Sequence, residues 1–402
     1  MTSSWQHAQH HLQTSPRDVP HQPPGSDHRQ VHPPASAAVE PDAADAPAPV
    51  RSGGACFDAR YALPFGTRVI ERAKHCIQIG TEPPRTVVVR NAPAGAAAVL
   101  SGLDGGRTVA ELLPQHRQPQ GDACWLGLLD ELLSAGVLLP VDDAEHAGSP
   151  LTVGAHLSGE RAGLTHRHGH AAAARILQAR DDALVIVRGG GDAALSITAH
   201  LAAAGIGHLH HEPLSRSLPW LPGAATITED GAGDTTSAAG RAAELRARFP
   251  ALRLHSPAAH QRPTAVVLTG GPVPDLGFAA AYSRRQIPHL AVAAGAARVV
   301  VGPFVLPSRS ACLSCVHRHR TDADPEWPAV AGQLDAYAAG TPAALTAAAV
   351  CLAVGEVLEH VDGMQSPRTV GGTLEWCAGA PGPRRRTWTQ HPECGCRTLP
   401  VQ

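Results

Sequence analysis

Two close cysteine pairs, Cys312-Leu-Ser-Cys315 and Cys394-Gly-Cys396, stand some eighty residues apart and constrain the fold more than any other feature. Four thiolates delivered from two tight turns suit one tetrahedral zinc ion, so whatever lies between the pairs must leave and return to the same point. The chain has nine cysteines. It begins without the basic patch and apolar run of a signal peptide, and it has no stretch of about 18 uninterrupted apolar residues. A cytoplasmic protein is expected, in which disulfides rarely persist and close pairs read as metal or redox sites. A redox pair at Cys312 and Cys315 would follow the first strand of a small redox domain and would leave the Cys394 pair unexplained. Val316 stands where haem attachment needs a histidine. With no open ligand position implied, the zinc is expected to be structural. His317, His319 and His391 are close enough in sequence to substitute as ligands. Cys56, Cys76, Cys124, Cys351 and Cys377 are isolated and read as inert thiols.

Residues 1–55 are rich in Pro, His, Ser, Gln and Ala, which cannot bury enough surface to offset ordering entropy, and predict a disordered tail. From 57 to 140 the pattern predicts strands at 67–71, 76–80 and 86–90, then helices over 93–103, 109–113 and 123–135. In the last helix Leu126, Leu129, Leu132 and Leu133 form the apolar stripe and Gly136 closes it. This is a small winged-helix-like α+β domain. Residues 141–182 read as a polar connector with one helix at 170–179.

A Rossmann-like, mainly parallel sheet is expected from 183 to 402. Strand 183–187 leads through Gly189, Gly190 and Gly191 into a helix over 193–204, followed by strands at 208–210, 265–269 and 289–293 and helices at 238–248 and 278–285. Residues 213–236 read as a surface loop. A helix over 342–360 and a hairpin of 369–376 with 384–388 complete the domain.

The pattern Gly189-x-Gly191-x-x-Ala194 lies where backbone N–H groups and a helix dipole favour phosphate. A glycine turn kept for packing explains it equally. Glu212 is the acidic residue nearest the next strand's tip, although out of register with 208–210. Lys74 is the only lysine in the chain, so phosphate charge would fall to Arg188, Arg284 or Arg285. A net charge of −2 gives no global pull toward nucleic acid or membrane. Between Phe57 and Pro140 eight basic residues balance eight acidic ones, which argues against DNA binding by the winged-helix-like domain.

The block Val301-Gly-Pro-Phe-Val-Leu-Pro-Ser-Arg-Ser-Ala-Cys-Leu-Ser-Cys, with His319-Arg-Thr-Asp-Ala-Asp-Pro-Glu-Trp-Pro and His391-Pro-Glu-Cys-Gly-Cys, resembles actinobacterial ThiF/E1-like proteins. The likeness runs from about 57 to 396 and is greatest to cyclodehydratase-associated, TOMM-type proteins that bind precursor leader peptides in bacteriocin biosynthesis. The resemblance implies zinc on Cys312, Cys315, Cys394 and Cys396 and an ATP-binding sheet at the glycine turn. It implies a PqqD-like element at the N-terminus, where a leader adds as a strand. Carried onto this sequence, the leader's edge is Thr86, Val87, Val88, Val89 and Arg90, and its apolar wall includes Leu126 and Leu129. A YcaO-like cyclodehydratase partner and a homodimer through the sheet domain follow from the same resemblance. E1-like adenylyltransferases have an acidic residue after the second strand, a phosphate-binding lysine and an aspartate after the fourth strand. Here His210-His211, no lysine and Thr269-Gly-Gly271 stand in those places. The expected function is therefore an E1-like, zinc-containing scaffold that presents a leader peptide to a modifying enzyme without its own ATP chemistry. A ThiF-type adenylyltransferase using ATP and Mg2+, and a winged-helix DNA-binding regulator, are the alternatives.

Overall fold

The computed structural model describes residues 54–81, 86–113, 122–141, 155–212, 238–258, 260–271, 273–334 and 340–398. The tail expected over 1–55, except its last two residues, and the loop expected over 213–236 lie outside them.

Residues 57–140 close around their own apolar cluster. The three predicted strands form an antiparallel meander, β2 (Val69–Ala73), β3 (Cys76–Ile79) and β4 (Val87–Arg90), with β3 central. The β2–β3 hairpin turns at Lys74-His75, where His75 has φ 59° and its ring bonds the Ala92 carbonyl at 3.1 Å. A second sheet, unforeseen in sequence, pairs β1 (Arg60–Ala62) with β5 (Asp104–Thr108) and β6 (Leu139–Pro140). Its strands are too short, and β5 too glycine-rich, to show alternation. Helices α1 (Ala96–Ser101), α2 (Val109–Leu112) and α3 (Asp122–Ser134) match the predicted three. Thr108 starts α2 with a capping box: its hydroxyl accepts from Glu111 N while the Glu111 carboxylate accepts from Thr108 N at 2.9 Å.

The apolar stripe of α3 is rotated from the predicted one. Trp125, Leu128, Leu129 and Leu132 are buried, while Leu126 is half-buried and Leu133 only packs against the cluster's margin. Trp125 fills the place assigned to a leucine, because its larger apolar surface wins the core position.

The predicted connector holds two helices, α4 (Ser158–His168) and α5 (His170–Asp182), hinged at Gly169. The first was hidden by its Gly, Arg and His content, since it buries little besides Leu164 and Thr165. Arg180 of α5 is 1% exposed and ties the region together. Its Nε and Nη2 donate to the two oxygens of Asp362 at 2.7 and 2.8 Å, and its Nη1 donates to Glu160 at 2.7 Å and to the Ala204 carbonyl at 3.0 Å. Burial works against its charge, but the hydrogen bonds to Asp362 and Glu160 outweigh that and raise its pKa.

The main sheet has seven strands in the order β13-β12-β11-β10-β9-β7-β8. β7 (Leu184–Arg188), β8 (His208–Glu212), β9 (Ala265–Gly270) and β10 (His289–Ala294) are mutually parallel, as the βα alternation predicts. β11 (Arg298–Val305), β12 (Gly372–Cys377) and β13 (Arg384–Thr387) are antiparallel to their neighbours. The sheet is therefore mixed rather than mainly parallel: only three residues join β10 to β11, too few for a crossover. One face is covered by α6 (Gly191–Ala203) and α11 (Ala343–Asp362), the other by α8 (Leu276–Arg284) and α9 (Leu313–Ala323). α7 (Ala238–Arg248) and α10 (Trp327–Leu334) complete the helices among the described residues.

Among the described residues, α11 is the one helix that by length and composition passes for a membrane span. One face instead packs on the sheet through Leu345, Ala349, Val350, Ala353 and Val357. On the same helix Glu356, 3% exposed, accepts from Thr369 N at 2.8 Å and from its hydroxyl. Burial raises its pKa against those hydrogen bonds.

Candidate functional site

The two cysteine pairs meet. Cys312 is the N-cap of α9, Cys315 lies in its first turn, and Cys394 and Cys396 lie in the turn that ends the described chain. All four are buried, with sulfurs 3.7 Å (Cys312–Cys315), 3.6 Å (Cys312–Cys394) and 3.4 Å (Cys315–Cys396) apart. Tetrahedral thiolates at about 2.3 Å from zinc stand about 3.8 Å from one another, so the group could hold such an ion with little movement. The Cys312 thiol hydrogen-bonds Cys315 and holds it down at about 4, while burial pushes Cys396 up to about 12. A divalent ion binds such cysteines as thiolates.

None of the three nearby histidines joins the sulfurs. His317 Nδ1 accepts from Trp327 Nε1 at 3.1 Å, and His319 Nε2 donates to the Thr389 carbonyl at 3.0 Å. His391, 3% exposed, accepts the Glu393 amide on Nδ1 at 3.1 Å. That fixes the proton on Nε2, which donates to Asp322 at 2.9 Å. Asp322 thereby braces the turn that carries Cys394, a role that sequence spacing does not signal.

The glycine turn sits between β7 and α6 as expected. Gly189 has φ +144°, and a Cβ there would overlap the Thr269 hydroxyl and lie 2.5 Å from its carbonyl oxygen. Gly191 has φ +80°, and a Cβ at Gly190 or Gly191 would meet nothing within 4 Å. Packing therefore accounts for Gly189, whereas Gly190 and Gly191 border open space at a helix N-terminus. Ala194, in the first turn of α6, is fully buried and faces the core. Gly189→Ala is expected to cost roughly 3 kcal/mol or more, and Gly191→Ala about 1 kcal/mol from backbone strain alone. Equal losses in chemical denaturation would contradict this division.

The acidic residue at the second strand's tip, judged out of register from sequence, is present. β8 runs two residues further than predicted, and Glu212 pairs in register with Arg188. Its carboxylate forms an ion pair with the Arg188 guanidinium, which also stacks on Phe278 with the carbon 3.5 Å from the ring centroid. Arg188 is therefore already engaged. Asp192 adds negative charge to the first turn of α6, which disfavours a phosphate there. Arg284 and Arg285 are exposed where α8 hands over to β10, about 13 Å of helix away from the end at which the turn lies.

β4 is an outer strand of its sheet. Val87 and Val89 pack against the domain core, whereas Val88 is 38% exposed and Arg90 is exposed. Thr86 is half-buried and its hydroxyl has no hydrogen-bond partner. Leu129 is fully buried and supports the core, so of the two assigned wall residues only Leu126 retains surface. A cleft of about 310 Å³ opens beside Val87, bounded by Phe65, by the turn that follows α3 at 135–137 and by Ala162 and His166 of α4.

Neither a protein-family model nor a curated protein matches the sequence. Solved structures do match the fold. E. coli MccB with succinimide superposes with a TM-score of 0.52 at 15% identity, covering 84% of this chain and 99% of that one. E. coli MccB with ATP gives 0.51 at 14%, covering 84% and 99%. A heterocyclase in complex with substrate and cofactor gives 0.50 at 13%, covering 85% of this chain and 40% of that one. At such identities the likeness is one of architecture: the chain has the mixed α/β fold of MccB, consistent with the E1-like fold its sequence resembles.

Proposed function

We propose that the protein is an E1-like scaffold that binds the leader of a ribosomally made precursor peptide and presents it to a modifying enzyme of the cyclodehydratase type. The observation that carries this reading is the outer strand β4, whose inward valines belong to the core and whose first residue, Val87, lines a cleft at the end of the sheet. An extended peptide gains main-chain hydrogen bonds on such an edge and side-chain selectivity from the adjoining walls. MccB has been solved with N-formylated MccA and the heterocyclase with its substrate, which supports a peptide partner for this fold. Zinc on the four cysteines serves as a clasp. The turn at Gly189 to Gly191 carries no ATP chemistry, given Asp192 beside it, the committed Arg188 and the missing lysine.

Successive residues of a strand point their N–H groups to opposite edges, so one of Val88→Pro and Val89→Pro removes an outward donor. That variant is expected to weaken leader binding at least ten-fold while metal content is unchanged. The measurement is fluorescence anisotropy with candidate leaders encoded beside this gene. No binding at about 100 μM, where a peptide held by −8 kcal/mol would be saturated, sinks the reading. Pyrophosphate exchange with ATP that Gly191→Val abolishes would favour the adenylyltransferase instead.

A further inference from the structure

The far edge of the main sheet is basic. β13 reads Arg-Arg-Arg-Thr, all four residues exposed, and is an outermost strand. Arg384 stands opposite Glu375 and Arg386 opposite Thr373, so Arg384 and Arg386 share one face of the sheet. Arg385 points to the other, where its Nε donates to the Arg368 carbonyl at 2.9 Å. On the first face Arg386 lies 4.2 Å from the Trp388 ring centroid. Arg320 of α9 lies 5.9 Å from the same ring and 4.8 Å from that of Trp327. Burial and then the charge of Arg298, with Arg386 behind it, depress the Arg320 pKa, and only Glu375 opposes them. Four guanidinium groups thus crowd around one carboxylate on a chain whose net charge is −2.

Strand direction places this surface at the same end of the sheet as the glycine turn. β10 runs parallel with β7 and ends at Ala294; Arg298 opens β11 and Arg384 opens β13 at that end. At about 4.8 Å per strand, five steps put β13 roughly 24 Å from the turn, or about seven extended residues.

We infer that this arginine surface docks an acidic peptide segment, which adds alongside β13 and sets its carboxylates against Arg384 and Arg386. The inference rests on the reading of the protein as a peptide-binding scaffold and adds the chemistry of a second contact. A second copy of the chain is repelled, because its own edge bears the same charges. Nucleic acid needs a broad basic footprint, whereas the cluster here has four arginines, of which Arg384 and Arg386 lie on an outer strand whose edge can pair with an extended main chain.

The test uses the full chain and two fluorescein-labelled decapeptides, (Glu-Thr)5 and (Gln-Thr)5. The glutamate peptide is expected to bind at least ten-fold more tightly at 50 mM salt, and to lose at least five-fold of that advantage at 300 mM. The exposed double variant Arg384→Gln/Arg386→Gln should abolish the advantage, with its fold checked by circular dichroism, and Arg298→Gln should reduce it. Equal affinity for the two peptides, no change in the double variant, or tighter binding of a twelve-residue oligothymidylate overturns the proposal. Val88→Pro and Val89→Pro should leave decapeptide binding intact. In the unmodified chain, absence of leader binding with decapeptide binding present sinks the β4 assignment alone, and the converse outcome sinks this one alone.

Discussion

Replacing Cys394 with serine is expected to lower zinc content from about one ion per chain to a small fraction and to reduce the melting temperature by roughly 10 °C. Structural zinc contributes folding free energy directly, because an unfolded chain does not preassemble its ligands. Here the effect is amplified by what the site joins. Cys312 and Cys315 begin α9, and Cys394 and Cys396 follow β13, so the clasp fixes the antiparallel half of the sheet to the helix covering it. Losing a few kcal/mol from a chain of this size shifts the midpoint by several degrees. Cys351→Ser, at an exposed thiol, should change neither quantity. Metal analysis without zinc, or a Cys394→Ser protein with full metal content, would end the zinc assignment.

The second large effect is expected at Arg180. Arg180→Met should cost roughly 3–5 kcal/mol, since it strands the Asp362 carboxylate, whose side chain is only 9% exposed, beside the Ala204 carbonyl. Glu160 is 35% exposed and can rehydrate, so Glu160→Gln should cost below about 1 kcal/mol. Replacing both buried partners, Arg180→Met with Asp362→Leu, should recover much of the loss, because a paired apolar exchange leaves no charge uncompensated. Denaturant titrations of the three variants measure this, and a single Arg180→Met loss below about 1 kcal/mol would show that the network carries little.

Legibility in sequence followed physical signal strength. The parallel strands β7, β9 and β10 are continuous Val, Leu and Ala runs buried on both faces, and they were read within one residue of their ends. The convergence of the four cysteines was legible because two close pairs have the spacing that a tetrahedral metal site would need. α4 was not, because its Gly, Arg and His content masks the little it buries, chiefly Leu164 against Ala173 and Ile176 of α5. Glu212 was named, but its register was not read: His210-His211-Glu212 looks polar, yet pairing with Ile186 to Arg188 extends the strand through it. The rotation of α3 shows that a leucine stripe is a weaker guide than the bulk of one tryptophan.

The β2–β3 hairpin has a practical consequence. Lys74, at its turn, is the only lysine of the chain. A reagent selective for side-chain amines therefore places one label at one exposed point, two strands from the edge where the leader is proposed to lie. A donor dye there and an acceptor on a peptide turn this arginine-rich composition into a ready-made ruler.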